Sequence, residues 1–294
     1  MKKLLFIVNP KAGKMTMRNH VLAVCEEFRR GGYEINFVPT LAKGEAVDIV
    51  ASRGAEYDLI VCSGGDGTLD EVVAGTQIGQ MDVPIGYIPA GSTNDYAKSL
   101  KLPVTPETAA RLIMKGTPRA VDVGVMNDQF FIYVAAFGSI AQVSYSTGQE
   151  KKNALGHLAY VLDGAVSMLN LKSYHMTISC NATTISGEFI HGMITNSVSV
   201  GGFKSIVSSQ TKLNDGLFEV ILVRKPKDPT EYPRILSSFL LGDTSAPEIV
   251  FLQTSELGIT CDEPVEWALD GEFGGAFKET YIENKKQRIR IVCK

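Results

Sequence analysis

Residues 64–75 read GGDGTLDEVVAG and place one carboxylate, Asp66, inside a glycine-rich turn. The mostly apolar run 58–63 precedes the turn, and a helical pattern follows it. A strand, a glycine turn and a helix N-terminus together form a phosphate site, because backbone N–H groups and the helix dipole point at the anion. A carboxylate there would repel phosphate unless a divalent cation or a reacting hydroxyl lay beside it. The chemistry that this segment favours is therefore phosphoryl transfer.

The same segment also has simpler explanations. Thr68 and Glu71 match a T-x-x-E capping box, which would account for both residues by helix capping alone. The three glycines could serve a tight turn without binding anything. Asp66 has no comparable structural explanation in the sequence, so it is the leading functional candidate.

A second glycine-and-hydroxyl turn, PAGSTND at 89–95, follows another apolar run and opens another helical pattern. Ser92 and Asp95 could form a variant capping box, so capping and ligand binding are both open explanations. Two such turns at one edge of a sheet would form two walls of one phosphate site. The loop NPKAGK at 9–14 lacks the Walker A pattern and is a weak signal by itself.

Two Asp-Gly pairs lie much later in the chain, in LDGE at 269–272 and NDG at 214–216. A surface turn, which Asp-Gly favours, would explain either pair. The four histidines are scattered, so we expect a general base in this chain to be a carboxylate, as in protein kinases.

These residues need a scaffold that brings them together, and the first 125 residues predict one. Short apolar runs alternate with helical patterns, which is typical of a parallel sheet flanked by helices. Ligands of such sheets bind at the carboxyl ends of the strands, where all three N-terminal loops fall. The predicted strands are 4–8, 35–38, 59–62 and 85–88, and the predicted helices are near 16–30, 44–54, 68–80 and 92–100.

The pattern changes after about residue 121. Residues 174–180 and 288–291 alternate strictly between apolar and polar, and 217–223 and 265–269 are also strand-like. This favours an antiparallel β domain with one buried face, interrupted by one helical pattern at 154–171.

Composition restricts the class of protein further. The chain has 294 residues, 45% of them apolar, and a net charge of −3, so nothing global attracts it to nucleic acid. Its five cysteines form no C-x-x-C pair, which favours reduced thiols in the cytoplasm over a disulfide framework or a thiolate zinc site. The first apolar run is too short for a signal peptide, and no stretch approaches the ~20 apolar residues of a membrane span.

Taken in order, the six motifs resemble those of the soluble diacylglycerol kinase family, with its YegS-type lipid kinases and its sphingosine and ceramide kinase relatives. These motifs are 9–13, Thr40, 64–68, 89–95, 215–216 and 269–272, so the resemblance covers nearly the whole chain. GGDGT alone also occurs in NAD kinases and, more loosely, in phosphofructokinases. Its combination with PAGSTND and LDGE is more specific.

The resemblance implies two domains. Residues 1–125 would form a nucleotide-binding α/β domain of the NAD kinase and phosphofructokinase type, to which the last strand, 281–294, could return. Residues 126–280 would form a mostly antiparallel β-sandwich that binds the lipid, with ATP and Mg²⁺ in the cleft between the domains.

The resemblance also implies roles for individual residues. Asp66, Asp95 and Asp122 would form an acidic network around Mg²⁺ and ATP. Either Asp270 or Glu272 would act as base on the lipid hydroxyl. A second, structural Mg²⁺ would bind to Asp215 and to backbone carbonyls near Lys212 and Leu217. The implied nucleotide contacts are Asn9, Pro10, Lys11, Ala12, Gly13, Thr40, Gly64, Gly65, Asp66, Gly67, Thr68, Leu69, Asp70, Glu71, Gly91, Ser92, Thr93 and Asn94.

The function implied is ATP- and Mg²⁺-dependent phosphorylation of a lipid alcohol, with diacylglycerol as the first candidate and phosphatidic acid as its product. The enzyme would be cytoplasmic, would contact the inner face of the membrane peripherally and could dimerise. Apolar entry for the lipid is expected near 154–171 or 239–241, for which ordinary core packing is the alternative.

Other functions remain open on this scaffold. The acceptor could be phosphatidylglycerol, a sphingoid lipid or NAD, although the late LDGE favours a lipid. A non-catalytic nucleotide-binding regulator is the third possibility, and the five intact acids of the motifs argue against it. The sequence does not rank the lipid acceptors.

Overall fold

The structure is a computed structural model that describes residues 1–13, 16–138, 172–198, 200, 211–228, 231, 234–235, 238 and 243–294. The chain forms two compact units: unit 1 contains residues 1–123 and 286–294, and unit 2 contains residues 124–285. No helix within the described ranges is both long and apolar enough to cross a membrane. The predicted helix at 154–171 and the apolar stretch 239–241 lie outside the described residues.

Five helices and thirteen strands carry the fold in the described part of the chain. The helices are α1 (Val21–Arg30), α2 (Glu45–Arg53), α3 (Asp66–Ile78), α4 (Asp95–Ser99) and α5 (Pro106–Lys115). The first strands are β1 (Lys2–Val8), β2 (Tyr33–Pro39), β3 (Leu59–Gly64), β4 (Ile85–Pro89), β5 (Thr117–Met126), β6 (Gln129–Phe131) and β7 (Val134–Gly138). The later strands are β8 (Tyr174–Cys180), β9 (Thr183–Thr195), β10 (Phe218–Arg224), β11 (Ile249–Thr254), β12 (Glu256–Leu269) and β13 (Glu272–Cys293).

Unit 1 is built on a parallel sheet. Its strands lie in the order β4-β3-β1-β2, and the end of β13 pairs in parallel with β4 through Ile291 and Ile85. Strand β2 pairs with one side of β1 and strand β3 pairs with the other, so the direction of winding reverses between β1 and β3. In open α/β sheets, ligands bind at this reversal, outside the carboxyl ends of the strands.

Strands β1, β3 and β4 are buried along consecutive positions, as strands covered by helices on both faces are, whereas β2 is only partly buried. One core cluster joins the sheet to α1 and α5, and the rings of Phe6 and Phe28 meet edge to face in it, 5.2 Å apart. Helices α2 and α3 pack on each other. Near its end, β13 is fastened by Arg290, whose Nε donates to Asp82 Oδ1 at 2.6 Å.

The sequence analysis did not predict one helix of unit 1. Helix α5 begins after Thr105 with Pro106 in its first turn, and it buries Ala109, Ala110 and Ile113. Two of these three side chains are alanines, so the apolar stripe is weak. The threonine and proline at its start were the usable signals, since both favour helix N-termini.

The strand pairs described within unit 2 are antiparallel. Strands β7 and β8 both lie between β9 and β12: β7 pairs with residues 191–195 of β9 and β8 with residues 183–189. The two strands therefore share one column of the sheet. Strand β9 continues outward to β10 and then β11, and β12 pairs with β13. The sandwich arrangement expected for this region stays a prediction.

The core of unit 2 follows from alternation along its strands. Strand β8 buries Tyr174, Met176 and Ile178 while the side chains between them are more accessible. The fully buried Trp267 packs edge to face on Phe137 at 5.1 Å between ring centroids. The alternation predicted for residues 174–180 thus matches β8 over its whole length.

Candidate active site

The carboxyl ends of the first, third and fourth strands meet at one edge of unit 1. Asn9 N donates to Ser63 O at 2.8 Å, and Ala90 N donates to Gly64 O at 2.7 Å. Thr40 N donates to Val8 O at 2.8 Å, which fastens the end of β2 there as well. The structure therefore brings together the Asn9, Thr40, Gly64 and Gly91 segments, as the sequence predicted for strand ends.

Glycines allow these loops to touch backbone to backbone. A Cβ on Gly91 would lie 2.6 Å from Gly65 Cα, so the two glycine turns are in direct contact. Gly13 has a φ of +51°, and a Cβ there would lie 2.2 Å from Ala90 O. The close approach of backbones explains glycine at positions 13 and 91 without a ligand.

Gly67 is different from these glycines. It lies in the first turn of α3, and a Cβ there would meet nothing within 4 Å. The N-cap of α3 is Gly65, which supplies no side-chain cap to the helix. The N-terminal turn of this 13-residue helix therefore has no side-chain cap from its N-cap residue, and it contains a glycine with open space around it. A helix end of this kind attracts an anion.

The start of α3 corrects the capping-box prediction. The helix begins at Asp66, two residues before Thr68, so Thr68 and Glu71 lie inside it. Asn9 Nδ2 donates to Thr68 Oγ1 at 3.2 Å, and Glu71 Oε1 accepts from Gly44 N at 2.9 Å. Thr68 therefore fastens the first loop, and Glu71 fixes the loop that leads into α2.

Asp66 does have a structural contact, contrary to the sequence-based expectation. Its carboxylate accepts from Asp95 N at 2.9 Å and from Tyr96 N at 3.3 Å, which are the first N–H groups of α4. The negative charge is favourable at that helix N-terminus. A carboxylate has about four lone-pair positions, so accepting from backbone N–H groups does not by itself exclude a role in binding a ligand.

The second turn is closed by Asn94 rather than by a variant capping box. Helix α4 begins at Asp95, so Asp95 does not hold the third helical position that pairing with Ser92 would require. Asn94 has a φ of +51°, and its side chain bonds both Gly91 N and Gly91 O at 2.9 Å. Ser92 and Thr93 remain exposed at the tip of the turn.

Tyr87 is the residue of this site that the sequence prediction missed. It is buried in β4, and its hydroxyl lies 3.3 Å from Gly64 O and 3.4 Å from Asn94 Oδ1. Burial raises the pKa of Tyr87 well above its usual value, and the nearby Asp66 charge raises it further. The hydroxyl therefore stays protonated and acts as a hydrogen-bond donor between the two glycine turns. A tyrosine within an apolar run gave little signal of this role.

The remaining predicted nucleotide contacts take different positions. Lys11 is exposed, and its N–H donates to Asn9 Oδ1 at 3.0 Å. Pro10 and Ala12 belong to the same loop, and Asp70 lies on α3. Leu69 is fully buried, so its side chain packs in the core and only its backbone could serve a ligand.

The predicted acidic network is not visible as a preformed metal centre. Asp95 is buried and paired with Lys98 at 3.3 Å, and buried Asp122 accepts from Gln287 N at 2.6 Å. Across the described ranges, no three His, Cys, Asp or Glu side chains are grouped as a metal site. Mg²⁺ that binds through phosphate oxygens needs only one or two protein carboxylates.

In unit 2, the LDGE motif forms a hairpin turn. Asp270 and Gly271 connect β12 to β13, and their φ values of +49° and +85° are typical of a type I′ turn. Asp270 is 6% exposed, and its carboxylate accepts from three backbone N–H groups at 2.6–3.0 Å, those of Ile132, Tyr133 and Val134. This carboxylate holds the turn onto the start of β7.

Glu272 has the opposite environment. It is exposed and is the first residue of β13, one position beyond the glycine of the turn. The turn fixes the backbone position of Glu272 and therefore the point from which its side chain extends. Of the two carboxylates considered as base, Asp270 is occupied by backbone donors and Glu272 is accessible.

Asp215 lies in a second Asp-Gly turn of unit 2. Its Oδ1 accepts from Leu217 N at 3.0 Å, and Gly216 has a φ of +84°. Lys212 is exposed at the start of this segment. The turn places the Asp215 carboxylate next to Leu217, near which the resemblance implies a backbone carbonyl as a cation ligand.

Comparisons with known proteins agree with this arrangement of motifs. The family profile for the diacylglycerol kinase catalytic domain matches residues 3–126. A diacylglycerol kinase of Bacillus subtilis (strain 168) is 30% identical over 295 residues, which is 99% of this chain and 96% of that protein. One of Staphylococcus epidermidis (strain RP62A) is 30% identical over 99% of this chain and 92% of its own length.

Solved structures share the fold. A crystal structure of a diacylglycerol kinase from Bacillus anthracis str. Sterne superposes with a TM-score of 0.79 at 21% identity, over 100% of this chain and 97% of that one. Another structure from the same organism gives a TM-score of 0.86 at 24% identity, over 100% and 95% of the two chains.

Proposed function

Because the chain belongs to the diacylglycerol kinase family, and is therefore a kinase whose acceptor is an alcohol group, we propose that it transfers the γ-phosphoryl group of ATP to a lipid hydroxyl. The proposed acceptor is diacylglycerol and the product is phosphatidic acid. The relatives that match over their full length carry the name of that reaction.

One observation carries the nucleotide part of the proposal: the uncapped N-terminus of α3 at the reversal of the sheet. Gly67 leaves open space there, while Asn9 and Gly91 bring two further loops to the same edge. Backbone N–H groups at a helix N-terminus bind phosphate by charge and geometry, without contacts to the base of the nucleotide. ATP phosphates suit this edge.

The residues also fit Mg²⁺. Oxygen donors are what this ion prefers, and Asp66 presents a carboxylate beside the proposed phosphate position. When bound, the ion neutralises the charge that develops on the phosphoryl group. Asp66 would hold the ion, Asp95 and Asp122 would support it in the predicted network, and the N–H groups of α3 would orient the phosphates.

We assign the base to Glu272. A base must be accessible to the acceptor hydroxyl; Glu272 is exposed, whereas Asp270 is buried and accepts from three backbone N–H groups. Glu272 Oε accepts the hydroxyl proton as the oxygen attacks the γ-phosphorus and the bond from that phosphorus to the bridging oxygen breaks, releasing ADP. Asp270 positions Glu272 by holding the turn.

A lipid acceptor requires contact with a membrane. We propose peripheral attachment of a cytoplasmic enzyme through exposed basic and apolar side chains. Co-sedimentation with anionic vesicles at low and high salt tests this part, and absence of binding at low salt would contradict it.

The experiment for the function is Mg²⁺-dependent transfer of label from ATP to diacylglycerol, phosphatidylglycerol, a ceramide and NAD in mixed micelles. Label in phosphatidic acid is the expected result. Label only in NADP would make the chain a kinase of a soluble acceptor, and no label with measurable ATP binding would favour a regulator.

The residue test is Glu272→Gln, with Lys278→Gln, an exposed change on the same strand, as matched control. We expect Glu272→Gln to lower kcat by about a thousandfold, which is typical of removing a general base, with the Tm unchanged. Activity within tenfold of the wild-type protein would rule out Glu272 as base.

A further inference from the structure

The most exposed apolar side chains of unit 1 lie at one edge of its sheet. Within the described residues, and apart from Met1, the large apolar side chains with the highest exposure are Leu22 (81%), Leu41 (77%) and Val104 (74%). Single exposed apolar side chains are common on protein surfaces and need no explanation. These three, however, all lie at the carboxyl ends of the parallel strands, where the proposed phosphate-binding loops are.

Strand β2 and helix α1 place two of them there. Leu41 follows Thr40, whose N–H donates at 2.8 Å to Val8 O at the end of β1. Leu22 lies in the first turn of α1, and α1 ends at Arg30, just before β2 begins. Because α1 ends at the amino ends of the strands, its first turn lies at their carboxyl ends.

Helix α5 places the third. Val104 lies two residues before Pro106, the first residue of α5. The N-cap residue of α1 is His20, and its Nδ1 lies 2.5 Å from Oε1 of Glu107 in the first turn of α5. The two helices therefore begin side by side, and Val104 lies at the same edge as Leu22.

Basic residues accompany these apolar side chains. The four loop segments at this edge contain no Asp or Glu, and they are 9–13, 16–20, 40–44 and 100–105. Their Lys and Arg side chains are all exposed, and they are Lys11, Arg18, Lys43 and Lys101. Even with the adjoining acids Glu45 and Glu107 counted, cations outnumber acids here. The edge is therefore positive on a chain whose net charge is −3.

We propose that this edge of unit 1 docks on an anionic lipid bilayer. The docking surface, which we call the carboxyl rim, consists of Leu22, Leu41, Val104 and the four exposed cations. The aliphatic side chains would enter the interface between headgroups and acyl chains, and the cations would bind headgroup phosphates. The inference rests on the proposed lipid kinase function, for which it names the surface that contacts the membrane.

The composition of the carboxyl rim favours a bilayer over a second protein. Protein interfaces are depleted in lysine and enriched in aromatic side chains. Three of the four cations of the rim are lysines, and its three apolar members are aliphatic side chains on separate segments. Long cationic side chains between single aliphatic ones suit a fluid surface, which adapts to each of them.

Docking at the carboxyl rim would bring the proposed phosphate site next to the bilayer. Asn9 N donates to Ser63 O at 2.8 Å, so the loop that carries Lys11 adjoins the glycine turn of Asp66. A kinase whose acceptor stays in the membrane needs its nucleotide at the membrane surface. The rim meets this need with residues of unit 1 alone.

The first test is flotation with vesicles of phosphatidylglycerol and phosphatidylcholine, without ATP or diacylglycerol. The rim variant combines Leu22→Gln, Leu41→Gln and Val104→Gln. Its matched control is Ile78→Gln, because Ile78 is 59% exposed at the last residue of α3, away from the carboxyl edge. We expect the rim variant to bind about tenfold more weakly with an unchanged Tm, and the control to bind like the wild-type protein.

The cations are tested by combining Lys43→Gln with Lys101→Gln. This double variant should bind about tenfold more weakly at low salt and depend less on salt, because each cation near an anionic surface adds to a screened attraction. Lys115→Gln is the control, since Lys115 is exposed at the other end of α5, and it should keep the wild-type salt dependence.

Insertion of the apolar side chains has a readout of its own. The sequence has one tryptophan, Trp267, and it is fully buried. Leu41→Trp therefore adds an exposed fluorophore, whose emission should shift to shorter wavelength on anionic vesicles. Ile78→Trp should show no shift under the same conditions.

Three results would overturn the inference: no vesicle binding by the wild-type protein at low salt, equal binding by the rim variant, or an equal loss in Ile78→Gln. A wild-type oligomer that the rim variant dissociates, with vesicle binding unchanged, would assign the rim to a second copy of the chain instead. Vesicle binding is measured without ATP or acceptor, and kinase activity in detergent micelles needs no bilayer. Failure of the docking surface and failure of the proposed function are therefore distinguishable.

Discussion

Two turns that join an acid to glycine, GGDGT in unit 1 and LDGE in unit 2, use these residues in opposite ways. In unit 1, Gly67 has open space around it, and Asp66 accepts from the first two backbone N–H groups of α4. In unit 2, Gly271 has a positive φ that the hairpin requires, and Asp270 is buried under three donors.

The difference teaches how to separate a ligand-binding turn from a structural one. A glycine at an uncapped helix N-terminus that neither strain nor crowding explains indicates a ligand site, whereas a glycine with positive φ is explained by the backbone conformation. The acid follows the same rule: the more backbone donors it holds, the less of it is left for chemistry. By this rule we assign Asp66 to the proposed reaction and give Asp270 the role of positioning Glu272.

The strongest test of the comparison is Asp270→Asn. Asparagine tolerates the positive φ, so the turn survives. However, one of the three backbone N–H groups loses its acceptor oxygen, and the other two donate to a neutral amide oxygen in place of a carboxylate. We expect the free energy of unfolding to fall by about 3 kcal/mol, measured by urea denaturation.

The matched variant for this prediction is Glu272→Gln, which should unfold with the wild-type free energy. If Asp270→Asn kept full stability and lost only turnover, Asp270 would be the base and the rule would fail for this turn.

A second prediction exchanges the two glycines for alanine. Gly67→Ala should leave the protein as stable as wild type, or more stable by up to ~1 kcal/mol, because alanine favours a helix interior. The added methyl would crowd the phosphates, so the KM for ATP should rise about tenfold. Stability and nucleotide affinity thus move in opposite directions.

Gly271→Ala is the counterpart in the structural turn. It should cost about 1–2 kcal/mol, since alanine is strained at positive φ, and should leave the KM for ATP unchanged. An unchanged KM in Gly67→Ala, measured alongside Gly258→Ala as a second glycine with open space, would remove Gly67 from the phosphate site.

Much of this scaffold was predictable from patterns, and the failures have physical causes. The four predicted strands of unit 1 correspond to β1–β4. Strands β1, β3 and β4 were predictable because strands buried on both faces are continuous apolar runs, whereas β2 is only partly buried. Helix starts were wrong at Thr68 because the true N-cap, Gly65, has no side chain to signal it. Contacts that span the sequence, such as Asp66 with α4 and Glu71 with Gly44, leave no local pattern at all.

The smallest expected effect concerns Tyr87, which joins the two turns of unit 1 and has no counterpart in the Asp-Gly hairpin. Tyr87→Phe keeps the ring in the core and removes only the hydroxyl, whose contacts to Gly64 O and Asn94 Oδ1 are long at 3.3 and 3.4 Å. We expect a loss of about 1 kcal/mol in the free energy of unfolding. Because the hydroxyl holds two walls of one site in register, the KM for ATP should rise about threefold, while the KM for the lipid should not change. A fall in stability with no change in the KM for ATP would show that Tyr87 only packs, and the two turns would then keep their alignment through the Gly65–Gly91 contact alone.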